Sequence, residues 1–183
     1  MRRRTLGVLA CALIVAVGAL AILVTQFGSR DSSTTAGGTG PGRTTPDQGD
    51  AHSLPSGAPF RYAGDPPASG PHRVSLVTRD GGALSTDQLL TAIERGNVVL
   101  VYADPRLTAS LRDLAAAQAG PFTPALAATG QAVVLDRRSA PAGVAVVAVA
   151  WRRLLGVGTT SDPALTAFVQ AWLGRGAPGA RAG

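Results

Sequence analysis

The sequence predicts an α/β or α+β domain, a small mixed sheet with about three packed helices, preceded by one transmembrane helix. Three observations carry this. Short apolar, β-branched runs alternate with segments of helical period, and such alternation calls for one sheet with helices packed on it. Asp104-Pro105 and Asp162-Pro163 are cap-and-proline pairs of the kind that open helices. Nineteen uncharged residues, 6–24, follow Arg2, Arg3 and Arg4 with only Thr5 between.

As a helix, that apolar segment spans roughly 29 Å at about 1.5 Å per residue, the thickness of a bilayer's hydrocarbon core. The arginines hold the amino end in the cytoplasm. Residues 1–5 are then a cytoplasmic head, residues 6–27 a signal anchor, and the rest of the chain lies outside. Cleavage is the rival reading, because Ala19-Leu20-Ala21 offers a small-x-small site. Ile22, Leu23 and Val24 prolong the apolar run beyond it and favour retention. Val8-Leu9-Ala10-Cys11 has the look of a lipobox but comes too early to have an apolar stretch before it, and the neighbours of Arg3-Arg4 fit a twin-arginine signal poorly.

Residues 28–51 are Ser, Thr, Gly, Pro and Asp with hardly an aliphatic side chain, too little apolar surface to offset the entropy of ordering. They read as a disordered linker with a typical reach near 27 Å, at about 5 to 6 Å times the square root of its length. A globular domain follows over residues 52–175, and residues 176–183 read as a flexible tail.

Within the domain, polar and apolar residues alternate over 73–78 and suggest a short strand. Ser85 or Thr86 caps a helix to about Arg95, with Leu89, Leu90 and Ile93 on one face and Gly96 as its stop. The continuous apolar run 98–102 reads as a buried strand. The helix opened by Asp104-Pro105 turns Leu107, Leu111 and Leu114 inward and ends before Gly120. Residues 132–135 and 144–151 read as two more strands, separated by a turn at Arg137-Arg138-Ser139-Ala140-Pro141. Asp162-Pro163 opens a last helix through Leu165, Phe168, Val169 and Trp172, stopped at Gly174.

Composition narrows the chemistry. The formal charge of +6 falls to +3 once the three head arginines are set aside, 14 basic against 11 acidic residues, and is no nucleic-acid signature. Every basic residue outside histidine is arginine, which reflects GC-rich coding more than guanidinium chemistry. Cys11, the only cysteine, falls in the apolar run, so the exported part has no disulfide of its own and no thiol for catalysis or metal binding.

The segment before the first strand is rich in proline: Pro55-Ser56-Gly57, then Asp65-Pro66-Pro67-Ala68-Ser69-Gly70-Pro71-His72. Prolines hold such backbone extended and out of interior ladders, so a rigid lip results. A rigid irregular lip can aim a side chain, here His72, or simply bury it under the turn. Glu94, the only glutamate, stands at the last turn of a helix, where it opposes the helix dipole and calls for a compensating partner, Arg73 or His72. Ser69, His72 and Asp65 lack the nucleophile elbow and oxyanion loop of a triad enzyme.

Pro66-Pro67-Ala68-Ser69-Gly70-Pro71-His72, the Glu94-Arg95-Gly96 stop before a strand ending in Tyr102, and the Ala150-Trp151 pair together resemble a bacterial family called domain of unknown function 3105, over roughly residues 52–172. The resemblance implies a membrane-anchored extracytoplasmic protein and confers no activity. It also implies histidines at four positions. His52 and His72 match two of them, while Thr91 and Arg95 occupy the others, leaving an incomplete imidazole shell with positive charge beside it.

The leading expectation is a non-catalytic module of the cell envelope, anchored in the lipid bilayer and binding another envelope protein or component through His72, Ser69, Glu94 and Arg95. The alternative is a copper or zinc protein using His52 and His72, with Asp65 or Glu94 in support. A third reading is an enzyme built on Glu94 and His72, which requires the two side chains within reach of one another.

Overall fold

The computed structural model describes residues 40–56, 59–140 and 142–178. The anchor expected at residues 6–27, the first half of the linker and the end of the tail lie outside the described residues. No helix among the described residues is long and apolar enough to cross a membrane.

The elements are β1 (Arg43–Thr44), α1 (Thr86–Arg95), β2 (Val98–Tyr102), a 3-10 turn (Pro105–Leu107), α2 (Thr108–Ala119), α3 (Pro124–Ala128), β3 (Val133–Arg137), β4 (Val146–Ala150), β5 (Arg153–Val157) and α4 (Pro163–Trp172). They form a mixed sheet in the order β1-β5-β4-β2-β3. Only β2 and β3 run parallel; the other neighbours are antiparallel. Among the described residues this is an α+β fold with five strands and four α-helices, where about three helices were expected.

β2 lies inside the sheet, between β4 and β3, and is buried on both faces, which explains its unbroken apolar sequence. Val99 and Val101 face one core with Val134, Val147 and Val149, covered by Leu89, Leu90 and Ile93 of α1. Val98, Leu100 and Tyr102 face a second core closed by Leu111 of α2 and Leu165, Phe168 and Val169 of α4. α1 and the proline-rich lip therefore share one side of the sheet, since Ala68 belongs to the first core.

Three expectations change. The strand expected at residues 73–78 does not form, because its backbone is claimed by side chains of α1. Asp87 accepts from the Arg73 N–H and the Thr91 hydroxyl oxygen from the Ser75 N–H, at 3.1 and 3.0 Å. The region expected as one strand over 144–151 continues past a turn at Trp151-Arg152 into β5, with Arg152 held at φ 57°. Its N–H donates to the Ala68 carbonyl and its carbonyl accepts from Thr45, at 2.7 and 3.0 Å, so the hairpin braces the lip. Finally, the last part of the expected linker joins the fold: β1 pairs with β5, and Trp172 donates to the Pro41 carbonyl at 2.9 Å. The first part of the expected tail does so too, for Ala177 is buried.

Residues 80–84 run along the outer side of β3 and close that edge of the sheet. Asp80 accepts from the Leu135 N–H and Asp136 from the Leu84 N–H, at 2.7 and 2.9 Å. Burial pushes both carboxyls above the ordinary value of 3.8, against the pull of these N–H groups and of Arg112 and Arg138. An acid raised in the folded state adds stability that is complete below pH 3.8 and is lost as pH rises through the folded value. The urea midpoint should therefore fall over that interval, and Asp80→Asn, which keeps an acceptor for Leu135, should flatten the fall. Identical slopes for the variant and the parent would contradict the assignment.

Candidate functional site

The lip carries its histidines on two segments that lie side by side. Gly70 N–H donates to the Gly49 carbonyl and His72 N–H to the Ala51 carbonyl, at 2.8 and 2.9 Å. Ser69 ties the same segments together, its hydroxyl donating to Pro46 and accepting from the Gln48 N–H, both at 3.1 Å. The Tyr62 hydroxyl donates to the Pro71 carbonyl at 2.7 Å, and its ring lies against Gly70, where an added Cβ would come within 2.8 Å. The backbone on either side of His72 is thus fixed, and His52, next to Ala51, is brought beside it. The ring centroids are 5.5 Å apart and the planes cross at 72°.

Glu94 arrives from the opposite direction on the last turn of α1. Ser85 and Gln88 form a reciprocal capping box at the start of that helix, and Gly96 ends it in the left-handed conformation. Asn97, buried just beyond, donates to the Ala92 and Ala127 carbonyls and accepts from the Ala132 N–H. The C-terminal segment closes over this end: Ala177 donates to the Glu94 carbonyl and Gly174 to the Gly96 carbonyl, each at 2.8 Å.

These three residues meet. Glu94 Oε1 lies 2.9 Å from His52 Nε2, and Glu94 Oε2 lies 3.1 Å from both His52 Nε2 and His72 Nε2. One nitrogen or oxygen from each residue falls within 4.8 Å of the others. Four-coordinate zinc, with bonds near 2.0–2.2 Å, spaces its donors about 3.4 Å apart, so the cluster brackets the separation such an ion requires.

His72 Nδ1 faces the Gly70 carbonyl at 3.0 Å. A carbonyl only accepts, so Nδ1 carries the hydrogen and the Nε2 of a neutral ring turns its lone pair toward the Glu94 carboxylate. Two acceptors at 3.1 Å, one on a side chain that is fully buried and the other on one 11 % exposed, attract only with a positive charge or a proton between them. A ring nitrogen anchored on a backbone carbonyl with the other left as donor atom is the usual posture of a metal-ligating histidine.

Of the sequence-predicted residues, His52, His72 and Glu94 converge. Ser69 is buried and serves the lip's own backbone. Arg95 turns its guanidinium to the Ala128 carbonyl at 2.7 Å, at the end of α3, so its charge is engaged there. Thr91 holds the segment after His72 by accepting from Ser75 and donating to the Arg73 carbonyl. Asp65 is exposed and is not part of the cluster. Sequence reasoning passed over the supporting roles of Gly70 and of residues 174–177. The available signal was glycines 130 and 176, each of which leaves room for a backbone at the end of α1.

Compared with known proteins, residues 53–182 match the model of a family described as protein of unknown function (DUF3105). No curated protein and no solved structure matches the chain.

Proposed function

We propose that this chain, which belongs to the DUF3105 family, is a membrane-anchored extracytoplasmic domain that binds a divalent transition metal, zinc or cupric copper, through His52, His72 and Glu94. The observation that carries the reading is the convergence of His52, His72 and Glu94 donor atoms within 4.8 Å, with His72 Nδ1 anchored on the Gly70 carbonyl so that Nε2 is the ring atom turned to the cluster. Neutral imidazole and carboxylate suit zinc and copper(II). The only cysteine and only methionine are Cys11 and Met1, so the domain offers no sulfur for copper(I). The apolar residues 6–24 behind three arginines support placement outside the cytoplasmic face, close to the lipid bilayer.

Binding of an envelope component through the lip has less support. His72 is fully buried and offers no contact surface, which leaves His52 as the exposed part of the cluster. A catalytic Glu94–His72 pair meets its distance condition at 3.1 Å, yet the same burial denies His72 a face toward substrate.

The full-length chain in detergent, dialysed against trace zinc or copper, is expected to retain about one ion per chain by elemental analysis. Metal at a hundredfold excess over Kd stabilises a folded protein by about 2.7 kcal/mol, so the melting temperature should rise, and His72→Ala should remove both effects. Metal-free protein with an unchanged melting temperature would refute the reading.

A further inference from the structure

The three donors are not held equally. His72 is fully buried, with its ring on the Gly70 carbonyl and its N–H on Ala51. Glu94 is fixed by α1, and its carbonyl is tied to Ala177. The His52 side chain is 53 % exposed, and among the described residues its hydrogen bonds run from Nε2 to Glu94, with the ring edge-on to His72. Two donors thus belong to the packed interior and the third to the surface.

We infer that a metal held here is exchanged by ligand replacement at His52, so that the domain passes its ion on instead of locking it away. This rests on the metal-binding reading above. An incoming nitrogen or sulfur donor gives an electron pair to the ion on the exposed side. His52 Nε2 leaves with its own pair, and the ion's oxidation state does not change. His72 and Glu94 keep the ion until the second donor of the incoming ligand arrives. A site closed on all sides would instead release its ion only when the fold opens, at a rate set by the protein alone.

The test uses full-length chain loaded with zinc and mixed with excess chromogenic pyridyl-azo chelator in a stopped-flow instrument. Transfer should be second order, rising about tenfold for a tenfold increase in chelator, as a bimolecular encounter requires. His52→Ala, an exposed substitution that leaves the interior donors in place, should still bind zinc more weakly and transfer it faster. Zinc bound at one equivalent but released at a rate independent of chelator would overturn the exchange inference and leave the metal-binding reading standing, as would slower transfer in His52→Ala. Failure of the parent chain to bind zinc would overturn both.

Discussion

Replacing Glu94 by glutamine is expected to abolish the zinc-dependent rise in melting temperature while the metal-free chain stays folded. Glu94 is the one carboxylate in the cluster and touches both imidazoles. Glutamine keeps its length and hydrogen-bonding reach but removes the negative charge, leaving two neutral rings and an amide, a poor set for a divalent ion. Loss of residues that merely support a metal ligand costs about 10- to 100-fold in affinity, so loss of the charged ligand itself should reach at least the upper figure. The metal-free fold responds differently. Glutamine keeps an oxygen that accepts and adds an N–H that donates, so hydrogen bonding to the two rings survives and the metal-free chain should stay folded. Thermal melts with and without zinc, read beside elemental analysis, separate the two effects. Wild-type zinc affinity in Glu94→Gln would exclude the cluster as the site.

The parts of this fold that were legible in sequence are those whose signals are local. α1 announces itself by Ser85 at one end and Gly96 at the other, and α4 by Asp162-Pro163. Thr123-Pro124 carries the same cap-and-proline signal for α3, whose five residues are too short for a helical period to show. β5 was hidden because Arg152 takes the left-handed position of the hairpin without glycine or asparagine, held there by Ala68 and Thr45. Residues 73–78 misled for the opposite reason: their alternation is real, but Val74 and Leu76 are exposed and the partner is the polar side of α1. The partnership of Glu94 with His72 was among those its unfavourable helix position suggested. That Arg95 and Thr91 serve neighbouring backbone is a tertiary fact, which no local pattern encodes.

Gly130→Ala should cost more stability than a glycine substitution usually does, and should weaken the metal site before it unfolds the chain. Gly130 follows α3 at φ 74°, and a Cβ built there would lie 2.0 Å from the Arg95 carbonyl oxygen and 2.6 Å from its carbon. The obstacle is backbone, so no rotamer change relieves it. Left-handed backbone costs alanine roughly 1–2 kcal/mol, and overpacking typically adds about 1–3. A total of about 2–5 kcal/mol is a large share of the 5–15 kcal/mol typical of a domain. The displaced atoms belong to the residue after Glu94, so the end of α1 must shift and carry the carboxylate away from His52 and His72. Gly143→Ala is the control, since Gly143 shares the positive φ, at 78°, but has nothing within 4 Å of its added Cβ. Urea midpoints should place Gly130→Ala well below Gly143→Ala, and zinc affinity should fall only in the former. Equal destabilisation of the two would mean that the end of α1 yields freely, and that Glu94 is not held by the packing around it.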